Sequence, residues 1–241
     1  GANGSGKSTF FLNINGVLKP ESGAVYYKDK LIDKSGIKEL RKNVGIVFQD
    51  ADNQIIASSV RAEVSFGPMN LGLSKEEVKK RVDDALNYMN IHHLIDRPPH
   101  YLSGGEKKRV SIADIIAMDS KIIIFDEPTA SLDPKNVAIF EDALDKMSSD
   151  GKTLVISTHD IEFAYRFADR IVVFCDGNII ADGKPIDVLS DYKVLKTANL
   201  KKPILLDVFD TLVENSIVTK DCVPVRSVEE FRDLIISQAK A

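Results

Sequence analysis

Gly1-Ala2-Asn3-Gly4-Ser5-Gly6-Lys7-Ser8-Thr9 opens the chain. The pattern G-x-x-x-x-G-K-S/T is a phosphate-binding P-loop, in which glycines let successive backbone N–H groups curl around phosphate oxygens. Gly1, Asn3, Gly4, Ser5 and Gly6 are the cradle candidates, and Lys7 places a point charge on the outer phosphates. Ser8, with Thr9 beside it, offers a hydroxyl to Mg²⁺. A loop of this kind is the turn between a buried strand and a helix, so it predicts an α/β layer around itself. The rival reading is a flexible glycine turn with no ligand, and motifs further along the chain decide between the two.

Outward from the loop, residues 8–18 read as the helix whose N-terminus faces the phosphates, and Lys19-Pro20-Glu21-Ser22-Gly23 ends it. Strands are predicted over 24–27 and 44–48, the second delivering Gln49 at its end. Residues 57–118 turn helical, with Val78, Val82, Ala85, Leu86 and Met89 on one face of a helix over 75–89. The run Lys121-Ile122-Ile123-Ile124-Phe125 is apolar in the manner of a strand buried on both faces, and it ends on Asp126-Glu127. Helices near 136–147 and 161–168 then alternate with strands over 153–157 and 171–175. Alternation of this kind predicts an α/β fold with a mostly parallel sheet, interrupted by a helical lobe over 57–118. In the tail, Ile204, Leu205, Val208, Phe209, Leu212 and Val213 form one helical stripe that should pack on something.

The 241 residues carry a net charge of −4 and a 44% hydrophobic fraction, enough for a sizeable core and no general field for nucleic acid or anionic lipid. No apolar run reaches the roughly 18 residues that span a bilayer, so the chain reads as soluble. Cys175 and Cys222 are the two cysteines, read as reduced and structural.

Two motifs carry chemistry beyond the P-loop. Asp126, closing an apolar strand, is placed to hold Mg²⁺, through its water, and Glu127 is left free as general base. The alternative is a surface acidic pair. Leu102-Ser103-Gly104-Gly105-Glu106 opens a helix and makes a second anion site from exposed N–H groups and the helix dipole, although a plain Ser N-cap also explains Ser103. Two phosphate-type sites in one chain point to a head-to-tail pair of subunits, each nucleotide held by one P-loop and capped by the other chain's Ser-Gly-Gly.

The set resembles the nucleotide-binding subunit of ATP-binding-cassette (ABC) transporters, from the first residue to about Gly183. In order stand the P-loop, Gln49 as Q-loop, the signature Leu102 to Glu106, the Walker B strand ending at Glu127, the D-loop Ser131-Leu132-Asp133, and His159 in Ser157-Thr158-His159-Asp160. The resemblance implies a P-loop NTPase (RecA-like) core over 1–56 and 119–190, a helical subdomain over 57–118, and ATP and Mg²⁺ as cofactors. It implies that Gln49 touches Mg²⁺ and the attacking water, that Asp133 communicates across the subunit pair, and that His159 contacts the γ-phosphate. A narrower similarity, carried by Phe48-Gln49-Asp50, Asp52-Asn53-Gln54 and Ser65 to Ser74, is to the energy-coupling-factor and cobalt-importer ATPases. Ala51 replaces their usual Pro and Glu106 their usual Gln. That subfamily implies a dimerising C-terminal extension over 191–241. Its implied partners are a second ABC ATPase subunit, a transmembrane coupling protein and a membrane substrate-binding component, with no nucleic acid. The cargo would be Co²⁺, Ni²⁺ or a vitamin, and the location the cytoplasmic face of the cell membrane, peripherally.

Family members place about thirty to forty residues, including a strand and an adenine-stacking aromatic, before the loop. This chain starts at the loop, so it reads as a fragment from which weak nucleotide binding is expected. Soluble relatives in DNA repair or translation are the alternative, but only about fifty residues separate Gln49 from Ser103, room for a small lobe and not for a long insertion. A scaffold that binds ATP without hydrolysis is disfavoured by Glu127 and His159. The run Ile204 to Leu212 resembles the nucleophile motif of haloacid-dehalogenase-type phosphatases around Asp207, and too few residues follow it to supply the rest of that site.

Overall fold

The computed structural model describes residues 1–2, 4–130, 132–219 and 221–238. They fall into two units, Ser8–Ser157 and Gly1–Lys7 with Thr158–Ala241.

In the first unit, α1 (Lys7–Ile14), which enters it at Ser8, is followed by the antiparallel pair β1 (Tyr26–Tyr27) and β2 (Lys30–Leu31), α2 (Ile37–Asn43) and β3 (Val44–Val47). Next come α3 (Val60–Asn70), α4 (Lys75–Tyr88), α5 (Gly104–Ala117), β4 (Ile122–Asp126), α6 (Pro134–Ser149) and β5 (Thr153–Ser157). The order β3-β4-β5 is parallel throughout, with Ile124 opposite both Ile46 and Val155. Both faces are covered, which is why β4 is apolar at every position before Asp126. Ile124 packs with Phe11, Leu40 and Val44 on one side. On the other, Phe125 meets Phe140 of α6 edge-on at 5.3 Å. Burying Ile123, Ile124 and Phe125, all at most 1% exposed, contributes about 1.5–3 kcal/mol apiece.

The helical stretch forms as its periodicity predicts. Ser74 caps α4 by accepting from the Glu77 N–H, and Val78, Val82, Ala85, Leu86 and Met89 are all buried. Tyr88 at its end reaches α6, where the Lys146 ammonium lies 3.8 Å from its ring centroid.

The second unit holds α7 (Ile161–Phe167), β6 (Ile171–Cys175), β7 (Asn178–Gly183), α8 (Pro185–Ser190), α9 (Tyr192–Thr197), α10 (Ile204–Glu214) and α11 (Val228–Gln238). The alternation makes β6 a further parallel strand. Instead it pairs antiparallel with β7 across the two-residue turn Asp176-Gly177. Tyr165, Val173, Leu189, Leu195 and Leu206 form the core. The tail is strapped to α7: Arg226 donates from Nε to the Tyr165 carbonyl at 2.7 Å and from Nη2 to the Ala168 carbonyl, and the Tyr165 hydroxyl donates to the Val225 carbonyl at 3.0 Å.

The stripe read from the tail sequence is only partly the buried one. In α10, Leu206 and Phe209 are buried, whereas Ile204 is 67% and Val208 38% exposed. The apolar arc is wider than the face that packs, and these two residues lie at its uncovered edge. Asp207 sits in the first turn of this helix, not at a strand end where the phosphatase-like motif would need it. Among the described residues no helix is long and apolar enough to cross a membrane.

Candidate active site

Parallel pairing of β4 with β5 places Asp126 opposite Ser157 at the C-terminal edge of the sheet. Asp126, 7% exposed, accepts from Ser8 Oγ at 2.6 Å through Oδ2 and from Ser157 Oγ at 2.5 Å through Oδ1. The Ser157 hydroxyl also accepts from the Glu127 N–H at 3.1 Å, so one side chain fixes two consecutive acidic residues. Glu127 is 6% exposed and adopts φ +45°, a left-handed conformation that costs a non-glycine residue energy.

A cavity of about 600 Å³ opens over this edge, lined by Gln49, Lys108, Gly104, Asp126 and Leu132 among others. Gln49 is exposed, just beyond β3, and its carbonyl accepts from the Lys108 ammonium at 3.1 Å. Burial lowers the Lys108 pKa to about 8, against the fields of Asp126 and Asp50 that favour its charge. Ser8, Asp126 and Gln49 bring a hydroxyl, a carboxylate and an amide, all hard oxygen donors. That set suits Mg²⁺, which keeps several waters and binds through one or two protein oxygens plus phosphate.

Ser103 starts α5 with a full capping box. Its N–H and Oγ both donate to Glu106 Oε2 at 2.8 Å, and its Oγ accepts from the Glu106 N–H at 3.4 Å. These bonds, the Ser103 backbone one foremost, hold the Glu106 carboxyl below its ordinary pKa. Gly105 follows where a Cβ would lie 2.4 Å from the Asn136 amide nitrogen, so a larger residue there requires the Asn136 side chain to move. Asn136 in turn is held by Asp133, the N-cap of α6, through two bonds of 2.8 Å, which lower the Asp133 pKa. The signature turn and the D-loop residue are thereby packed together.

In the second unit, Gly4 and Gly6 take φ of +79° and +99°, and the Lys7 ammonium donates back to the Gly1 and Ala2 carbonyls at 2.8 and 3.0 Å. The loop rests on the β6–β7 turn, whose Gly177 N–H donates to the Ser5 carbonyl at 3.2 Å. His159 is exposed on a turn pinned by Thr158, whose hydroxyl accepts from the Asp160 N–H, and by Asp160, which caps α7. Asn3 and Ser131 lie outside the described residues.

Comparison with known proteins points to one family. The family model for ABC transporters matches residues 1–130. The energy-coupling factor transporter ATP-binding protein EcfA of Methanocaldococcus jannaschii is 43% identical, over 100% of this chain and 86% of its own length. The chain belongs to the ABC transporter family. Another relative of this ABC ATPase is EcfA2 of Methanospirillum hungatei JF-1, 45% identical over 93% of the chain, which spans 57% of that relative's length. The solved structure of cbiO1 from Clostridium perfringens, part of the ABC transporter complex cbiONQ, superposes with a TM-score of 0.73 at 44% identity, covering 87% of this chain and 85% of that one. A dimeric ATP-binding cassette in a post-hydrolysis state bound to ADP and Pi gives a TM-score of 0.68 at 34% identity, covering 76% and 82%.

Three residues of this candidate site were given no role by the motif reading. Ser157 was legible only through register, as the residue of β5 opposite Asp126. Lys108 hides in the basic run Lys107-Lys108-Arg109, and its signal is the i, i+4, i+7 spacing with the buried Ile112 and Ile115. Asn136 carries no sequence signal beyond its place three residues after a capping Asp.

Proposed function

We propose that this chain binds and hydrolyses ATP with Mg²⁺ to power an energy-coupling-factor type importer of a cobalt or nickel ion or a vitamin. The observation that carries the hydrolytic part is the edge at Asp126, where Ser8, Asp126 and Ser157 are locked together and Glu127 follows in a left-handed turn. The importer subtype rests on the energy-coupling-factor relatives at 43–45% identity and on the cbiO1 neighbour.

In this reading Gly1, Asn3, Gly4, Ser5, Gly6 and Lys7 cradle the phosphates, with Ser8 and Thr9 at the head of α1. Ser8, Gln49 and Asp126 hold Mg²⁺, which when bound neutralises phosphate charge. Glu127 takes the proton of the attacking water, Gln49 orients that water, and His159 steadies the γ-phosphate as negative charge builds. Ser103, Gly104 and Gly105 of a second ATPase subunit cap the nucleotide, and Asp133 reports its presence across the pair. The helices over 57–118 carry the movement to a transmembrane coupling protein that works with a membrane substrate-binding component. Residues 191–241 take part in pairing, and the subunit sits peripherally at the cytoplasmic face of the membrane.

The test compares the full-length protein with its Glu127→Gln variant. ATP binding should survive while phosphate release falls about 10²- to 10⁴-fold, the usual contribution of a general base. Unchanged hydrolysis would remove Glu127 from that role.

A further inference from the structure

Lys108 occupies a position where the pattern of α5 calls for an apolar side chain. It shares a stripe with Ile112 and Ile115 and is itself 3% exposed. An ammonium is costly to bury unless strong partners take its hydrogens. Its partners are main-chain oxygens: the Phe48 carbonyl at 2.6 Å and the Gln49 carbonyl at 3.1 Å. Both belong to the segment that leaves β3, where the sheet ladder has ended and backbone groups must find other partners.

Two further contacts join that segment to α5. Phe48 N–H donates to Gln54 Oε1 at 3.1 Å while Gln54 Nε2 donates to the Ser111 carbonyl at 3.3 Å, and Lys107 pairs with Asp52 at 2.5 Å. Of the α5 side chains in these contacts, that of Lys108 grips the backbone of residue 49 itself, through charge-assisted bonds about twice as strong as neutral ones. A methionine would fill the same space without burying a charge. What lysine adds is the hold on two carbonyls.

We propose that Lys108 is a positioning residue for Gln49: an arm of α5, the helix opened by Ser103-Gly104-Gly105, that fixes the Phe48-Gln49 backbone beside the cavity lined by Asp126. Any shift of the signature turn then moves Gln49 with it, so closure on a nucleotide and alignment of Gln49 are one event. The inference rests on the hydrolytic function proposed above and adds to it a link inside one chain between signature and Q-loop.

Lys108→Met in the full-length protein tests it. Without nucleotide, amide hydrogen exchange over 48–54 should quicken by about tenfold while β4 and β5 exchange as before. With Mg-ATP, kcat should fall about 10- to 100-fold at nearly unchanged KM. In a Gln49→Ala background the same substitution should cost nothing more, which a residue acting only through stability would not show. Lys108→Gln, which keeps a neutral donor, should fall between wild type and Lys108→Met, and it substitutes for the latter should that variant not fold. Unaltered exchange over 48–54, or a full additional loss of turnover in the Gln49→Ala background, overturns the proposal. A wild-type protein without hydrolysis would instead refute the ATPase reading, and the exchange result would still decide the tether.

Discussion

Ser157 binds two acidic neighbours with a single hydroxyl, donating to Asp126 and accepting from the Glu127 N–H. Ser157→Ala leaves a buried carboxylate oxygen short of its donor, which costs about 1–3 kcal/mol of stability in denaturant titration. Phosphate release should drop about tenfold with ATP affinity retained, because the geometry of Asp126 and Glu127 loosens while the phosphate cradle is untouched. At Ser103 the Glu106 carboxylate already takes the serine hydroxyl, so in the capping role proposed for this turn a phosphate would compete with it for the same donors. Glu106→Gln keeps a cap acceptor and removes the charge. Nucleotide-driven pairing should tighten by roughly twofold to fivefold, read as the protein concentration at half-maximal dimer, with the thermal midpoint little changed. Lys7, Ser8, Asp126 and Glu127 were legible in the sequence because their chemistry is tied to fixed spacing along the chain. Lys108 and Asn136 act on partners about sixty and thirty residues away, and no local pattern encodes such a contact.

Helices α3 and α5 enclose a pair of acids that the motifs leave unexplained. Asp114 of α5 faces the Gly67 region of α3, and burial, followed by the charge of Glu63, pushes its carboxyl up to about 7. The folded protein therefore keeps a proton that the unfolded chain releases near pH 4, so stability from this group is present below pH 4 and is lost as pH rises through 7. Between those limits the wild type should lose on the order of 1–4 kcal/mol relative to Asp114→Asn, measured as the difference of their unfolding free energies across the pH range. A constant difference would show that Asp114 is solvated. Elements with strong periodicity were read closely: β5 and β6 match residue for residue, and α4 buries each residue of its predicted stripe. Strand β7 and helices α8 and α9, six residues each, were missed because so short a stretch gives no period to detect. For α10 the helix was legible and its buried side was not, because an apolar arc does not say which part of itself will find a neighbour.

At the scale of the whole molecule, the chain carries the P-loop, the acidic strand end and the signature turn, and in the pairing proposed above the last of these caps the nucleotide held by a second subunit. Tail positions Ile204, Val208 and Ile236 remain 67%, 38% and 46% exposed, apolar surface available to the pairing proposed for residues 191–241. The net charge of −4 is too small to oppose association. The most direct measurement is the mass in solution of the full-length Glu127→Gln variant with Mg-ATP, alone and mixed with a second energy-coupling-factor type ATPase subunit. A complex of two cassettes holding two ATP molecules, falling apart when ADP replaces ATP, is the expected result. A single cassette saturated with Mg-ATP in both samples, from a protein whose wild type hydrolyses ATP, would contradict the shared nucleotide site.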